Sequence, residues 1–297
     1  MDDIINQMRS QLDSIFDKFS AASGLVSEIA SRRFVYSKVE RKKVLFVGFN
    51  PSYTSDSKPN GNDYEPYDLK EAVERYPKHY KKFQDLADEC GVGEDWTYID
   101  LFFFRETEQK KIAEILKDDI GVDFICQQLR LTIDLMEKIK PEIIVVCNSG
   151  AREFFGIDED LETKIWMGYN FIFDEKFGVD VISGMNEKSI KKGVKSTELI
   201  GIPVLFTSTL NYMDRSSKKR LAWQINQILK YHTLFFGESY LKHESLLEQL
   251  KFFTNNILEK NRKKSESVTK SKFEHASKLR DEINSDMTDL LELLLKS

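Results

Sequence analysis

The chain has 297 residues, 41% hydrophobic and 31% charged, with a formal net charge of −5. That length suits one sizeable domain with appendages or two small ones; the apolar content excludes a disordered chain, and the acidity argues against nonspecific coating of nucleic acid. No apolar run approaches the ~20 residues of a membrane span, and the 3 cysteines and 4 histidines are too few and too scattered for a disulfide scaffold or a zinc cluster.

Met1, Asp2, Asp3 and Ile4 open the chain with acid rather than with a signal-peptide core, so a reducing cytosol is the expected location, with no membrane partner. Across residues 2–30 the apolar positions Ile4, Ile5, Met8, Leu12, Ile15, Phe16 and Phe19 recur at helical spacing and predict one amphipathic helix packed on the domain. A compact apolar run follows at 44–47, and residues 57–68, rich in Pro, Gly, Asn and Asp, predict a loop. Further on, helices are expected at 78–90, 108–117, 122–139, 151–155 and 216–234. Between them lie apolar runs at 96–104, at 143–147 after Pro141, and at 204–207 after Pro203. The stretch 183–198, with Lys188, Lys191, Lys192 and Lys195, reads as a basic surface loop.

Short β-branched and aromatic runs alternating with helices predict an α/β domain over 34–237, its mostly parallel sheet covered on both faces in three layers. An N-terminal helical segment, 1–33, precedes it. In such sheets the polar ends of the strands gather at one edge, where ligands bind; that brings Asn50, Asp100, Asn148 and Thr209 to one crevice. After 238, Leu246, Leu250, Phe253 and Ile257, and then Phe273, Ala276, Leu279, Ile283, Met287, Leu290 and Leu294, predict a helical hairpin or coiled-coil tail over 238–297.

The most informative segment is Val44-Leu45-Phe46-Val47-Gly48-Phe49-Asn50-Pro51-Ser52. A strand feeds a glycine that admits close approach to the backbone, and Pro51 holds Asn50 extended and stiffens the turn that aims its amide. This stretch resembles the first motif of the uracil-DNA glycosylase superfamily, particularly its mismatch-specific uracil/thymine branch, in which G-x-N-P follows the first strand. The second motif of that branch has a counterpart in Thr209-Leu210-Asn211-Tyr212-Met213-Asp214-Arg215-Ser216-Ser217: Arg215, Ser217 and Leu221 fit its spacing, while Thr-Leu-Asn replaces the usual His-Pro-Ser or Asn-Pro-Ser. The runs 96–104 and 143–150 match the middle strands, so the resemblance covers roughly residues 40–235.

The resemblance implies a uracil-DNA-glycosylase-like fold and hydrolysis of the N-glycosidic bond of a flipped base in DNA, with no metal or organic cofactor. Asn50, whose amide does not titrate near neutrality, is expected to orient the attacking water. Gly48 leaves room for the base, N–H groups near Phe49 and Ser52 receive its carbonyl, and Thr209 stands where a histidine donor is usual. Asn211, Arg215 and Ser217 suit phosphate contacts, and Lys218, Lys219 and Arg220 suit the flank of a DNA groove. Tyr53, Tyr64 and Tyr67 are candidates to stack on the extruded base.

Asp100 departs from the uracil pattern, which commonly carries an amide there. An ionised carboxylate accepts hydrogen bonds only, so it suits the amino group of cytosine or a modified cytosine, as defence against phages with altered DNA would require; the alternative is a helix cap or a pair with Arg105 or Arg152. The rival reading of the whole chain is a non-catalytic DNA-binding scaffold on the same fold. Finally, Phe273-Glu274-His275-Ala276-Ser277-Lys278-Leu279-Arg280-Asp281-Glu282-Ile283 resembles the UVR motif of bacterial excision-repair proteins, which implies docking of a protein partner or self-association through the C-terminal helices.

Overall fold

Four apolar runs form the parallel centre of a six-stranded sheet: β1 (Val44–Gly48), β2 (Trp96–Asp100), β3 (Ile143–Val146) and, after an antiparallel pair, β6 (Pro203–Phe206). The computed structural model describes residues 2–53, 66–156, 166–191, 196–237, 252, 254–266 and 273–296. The strand order is β2-β1-β3-β6-β5-β4, with β4 (Tyr169–Asp174) and β5 (Val179–Met185) antiparallel to each other and β5 antiparallel to β6. Every residue of β1, β2 and β3 is buried, as expected of parallel strands covered on both sides.

Side chains alternate between the two faces. Leu45, Val47, Ile99, Ile144 and Val146 join one core cluster with Leu12, Phe16, Phe19 and Phe124. That cluster draws on α1 (Asp2–Ser20), α2 (Gly24–Ser31), α5 (Gln109–Ile115) and α6 (Asp119–Ile139). On the other face Phe46 and Tyr98 meet Phe83 at ring distances of 5.3 and 5.0 Å. Phe83 lies on α4 (Pro77–Glu89), which packs against α3 (Leu69–Arg75) and α8 (Arg215–Phe235). A 3-10 turn, Ser149–Ala151, leads from β3 into the short α7 (Arg152–Phe155).

Several expectations are corrected. The apolar stripe over 2–30 is two helices rather than one, because the chain turns at Gly24, whose φ of +75° suits glycine. The run 96–104 is a strand only to Asp100: Gln128 of α6 accepts from the Phe103 and Phe104 N–H groups at 3.0 and 3.2 Å, and Thr132 donates to the Leu101 carbonyl at 2.8 Å. The Leu101 and Phe102 N–H groups still donate to the Gly48 and Phe49 carbonyls; from Phe103 on, a helix side chain replaces the ladder. The stretch 183–198 is not wholly a surface loop: it begins inside β5, and Ser189 is buried with its hydroxyl on the Met167 carbonyl. Lys192 and Lys195 lie outside the described residues, as does the loop 57–68 except for Pro66, Tyr67 and Asp68.

The chain divides into two compact units, Met1–Gly237 and Glu238–Ser297. Segment 1–33 therefore belongs to the first unit, whose core contains Leu12, Phe16 and Phe19. In the second unit a helix over 254–266 (α9) runs beside α10 (Phe273–Lys296); Lys260 reaches Asp286 at 2.8 Å and Glu282 at 3.8 Å. Leu279 and Ile283 are buried. Leu246, Leu250 and Phe253 lie outside the described residues. Among the described residues no helix is long and apolar enough to cross a membrane.

Candidate active site at the carboxyl edge of the parallel strands

Because β1, β2, β3 and β6 all run the same way, their carboxyl ends deliver the segments beginning at Gly48, Asp100, Cys147 and Thr207 to one edge. Asn50 sits there, half-buried. Its Nδ2 donates to the Pro51 carbonyl at 3.0 Å and to the Glu106 carbonyl at 2.6 Å. Both amide hydrogens are thus consumed by backbone acceptors, which fixes the orientation of the amide without ambiguity. Its Oδ1 has no partner among the described residues.

The clamp on Asn50 was not legible in the sequence, and Glu106 organises it. The Glu106 N–H donates back to the Pro51 carbonyl at 3.0 Å. Its buried carboxylate accepts from the Thr107 and Glu108 N–H groups at 2.7 and 2.8 Å and from Arg32 at 2.6 Å. Burial raises its pKa, but these donors outweigh burial and hold the carboxyl below its ordinary range. The Phe49 ring packs on Phe102 and Phe154, so only its backbone N–H remains for a ligand. Among the described residues neither that N–H nor the N–H of exposed Ser52 has an acceptor.

Gly48 and Asp100 are partners in register. A Cβ at position 48 would fall within impossible range of the Tyr98 hydroxyl and Asp100 Oδ1, and 2.8 Å from Tyr98 Cζ. Glycine is therefore needed here for the polar pair beside it. Asp100 is 9% exposed, and its Oδ1 accepts from the Tyr98 hydroxyl at 2.7 Å. Oδ2 has no partner among the described residues, and neither Arg105 nor Arg152 pairs with it. Burial, only partly offset by the Tyr98 bond, lifts the carboxyl to about 7. Asp100 is thus neither a cap nor half of an ion pair, and the expectation of a fully ionised side chain is corrected: near neutrality both forms are present.

Other expected residues fall differently. Thr209 is half-buried; its carbonyl accepts from the Tyr212 N–H at 2.9 Å, and its hydroxyl has no partner among the described residues. Asn148 is a structural cap, its Oδ1 accepting from the Gly150 N–H at 2.8 Å. The Ser217 hydroxyl is engaged by Asp214, the N-cap of α8, at 3.2 Å. Asn211 accepts from Lys82 of α4, which nothing in the sequence singled out. Arg215 is exposed and, among the described residues, without a partner.

Two of the three tyrosines named as stacking candidates already have partners. Tyr53 lies under two guanidinium groups, Arg32 at 4.4 Å and Arg105 at 5.4 Å. Tyr67 accepts from the Tyr80 hydroxyl at 2.8 Å; burial, then the charges of Tyr80 and Asp100, push its phenol well up, which ties it to the polar cluster around Tyr98 and Asp100. Tyr64 lies outside the described residues. Among the described residues no group of three or more His, Cys, Asp or Glu is placed to hold a metal ion.

The edge therefore offers a clamped amide with a free carbonyl oxygen, two free backbone N–H groups, a free hydroxyl and a desolvated acid. Such a set can orient a water and meet developing negative charge with neutral donors. Scanned against protein-family models the chain finds no match, and a search of curated proteins returns none either.

Proposed function

We propose that this chain is a monofunctional DNA glycosylase of the uracil-DNA-glycosylase type, hydrolysing the N-glycosidic bond of an extruded base. The observation that carries the reading is the Asn50 amide, held through both hydrogens by the Pro51 and Glu106 carbonyls with Oδ1 left open. A water donating to Oδ1 is aimed at the anomeric carbon while its oxygen attacks. As the bond breaks, the sugar becomes cationic and the base anionic; the Phe49 and Ser52 N–H groups and the Thr209 hydroxyl are the donors offered to the base. These are neutral donors, so the reading is of a slow enzyme or of a base that leaves readily.

Asp100 would read the base edge through its unpartnered oxygen. As a carboxylate it accepts from an exocyclic amino group; as the neutral acid it also donates to a carbonyl. With the carboxyl at about 7, preference for a cytosine-type base strengthens as pH rises through neutrality. The test is abasic-site formation on DNAs carrying uracil, mismatched thymine or modified cytosine. Asn50→Ala is expected to lower the rate by about 100-fold or more, the scale on which positioned polar groups act, and Asp100→Asn to remove the rise in amino-base preference with pH. Full activity in Asn50→Ala, or intact bases in every DNA with the wild type, refutes the reading.

A further inference from the structure

Beside the Asn50 edge lies a group of cations that the fold does not use. Lys82, on α4, donates to Asn211, in the loop between β6 and α8. α4 packs against α8, which carries Lys218, and burial, then the charge of Lys218, lowers the Lys82 pKa. Neither has an acidic partner among the described residues, and nor have Arg215, Lys219 and Arg220. By contrast Lys81, next to Lys82, pairs with Asp85 at 3.4 Å. The nearest acid in the chain, Asp214, is spent on capping α8, its carboxylate accepting from the Ser217 N–H at 2.8 Å. Cations in the first turns of a helix also oppose its dipole. Cations gathered at one edge without acidic partners are available to an anion from outside.

A second feature belongs to the same loop. Tyr212 is 87% exposed, the highest value among the large apolar side chains of the described residues. Its loop is nevertheless pinned, by the Tyr212 N–H on the Thr209 carbonyl at 2.9 Å and by the Thr207 hydroxyl on the Met213 sulfur at 3.3 Å. A rigidly held, bare aromatic ring next to unpaired cations offers one surface for a base and another for phosphate.

We propose that Lys82, Arg215, Lys218 and Tyr212 form a track for single-stranded DNA, the cations holding consecutive phosphates and the Tyr212 ring stacking on an unpaired base. The inference extends the proposed function, sharing its nucleic-acid substrate, and adds that the strand arrives unpaired: a base inside a duplex presents no open face to Tyr212. Stacking tolerates any base, so the track positions the strand and leaves the choice of base to the Asn50 edge.

The test is fluorescence anisotropy with the full-length chain and a labelled oligothymidylate, set against the same strand in a duplex, across a salt titration. Single strand is expected to bind more tightly than duplex. Tyr212→Ala should weaken it by about 5- to 150-fold, the range seen for lost base stacking, with Tyr212→Trp retaining it. The double variant Lys82→Gln, Lys218→Gln should lower the slope of log K against log salt by about 1.4, roughly 0.7 for each lost phosphate contact. Circular dichroism checks that the variants remain folded. Duplex binding as tight as single strand, or affinity and slope unchanged in the variants, overturns the track. Abasic-site formation is scored separately: activity that is indifferent to these substitutions removes the track and leaves the glycosylase, whereas strand binding that they abolish in a chain that releases no base leaves the track and removes the glycosylase.

Discussion

Asp100→Asn should make the protein more stable at alkaline pH and leave it nearly unchanged at acid pH. The buried carboxyl lies at about 7 against an ordinary 3.8; at about 1.36 kcal/mol per pH unit, this gap amounts to at most about 4 kcal/mol. Below about pH 4 the carboxyl is protonated in both folded and unfolded chains, and the term vanishes. Between about pH 4 and 7 the unfolded chain releases the proton while the folded chain keeps it, so stability falls as pH rises; above about 7 the whole cost is present. Asparagine keeps an acceptor for the Tyr98 hydroxyl and never ionises. The variant should therefore exceed the wild type by about 2–4 kcal/mol near pH 8, with the difference closing to within about 1 kcal/mol near pH 4.5. Urea unfolding followed by tryptophan fluorescence measures it. A difference that is independent of pH, or that shrinks as pH rises from about 4 to 7, would show that burial does not hold the Asp100 carboxyl above its ordinary range.

Two further substitutions probe the clamp. Gly48→Ala forces the Tyr98 hydroxyl and Asp100 away from the space they occupy beside β1, and an overpacked core costs about 1–3 kcal/mol; the urea midpoint should fall accordingly, and an unchanged midpoint would mean the Tyr98 ring moves aside freely. Glu106→Ala leaves two loop N–H groups without their acceptor and takes from Arg32 one of its two carboxylates, Glu28 being the other, a loss of about 1–3 kcal/mol. Since the Glu106 carboxyl lies below its ordinary range when folded, its contribution is present above the unfolded pKa and fades as pH falls. Thermal melts of wild type and variant should accordingly converge in acid, and a gap that persists there would count against the pairing.

The parallel centre was legible because its runs are both short and apolar throughout: residues 44–47, 143–147 and 204–207 could hardly be anything but strands buried on two faces. The same rule overran at 96–104, where Phe102, Phe103 and Phe104 are as apolar as a strand but the Phe103 and Phe104 N–H groups are served by Gln128 and the Leu101 carbonyl by Thr132. Nothing local to the aromatic run announces a partner some 25 residues ahead. The β4–β5 hairpin escaped for the opposite reason: β4 is an edge strand with Phe173 59% exposed, so its alternation is blurred. Of the site, Gly48 and Asn50 could be read from one turn. The Glu106 clamp and the Lys82–Asn211 contact join segments far apart in the chain, and only the fold brings them together; the Tyr98–Asp100 bond links alternate residues of one strand across the space that Gly48 leaves.

The two edges of the parallel sheet carry similar charged residues in different states. At the amino edge, a shallow depression of about 300 Å³ is lined by Arg41, Lys42, Lys43, Lys140, Asp95 and Glu142, together with Ile139. There Lys42 meets Glu40 at 3.2 Å, Lys43 meets Glu142 at 3.9 Å, Lys140 meets Glu198, and Asp95 accepts from the Lys43 N–H at 3.0 Å. At the carboxyl edge the Asp100 oxygen, the Asn50 carbonyl, the Thr209 hydroxyl and several cations are left without partners among the described residues. Each such group lowers stability or adds nothing to it. On the proposed function, the donors, acceptors and cations at the carboxyl edge are those that a base, a water and a phosphate backbone would together complete.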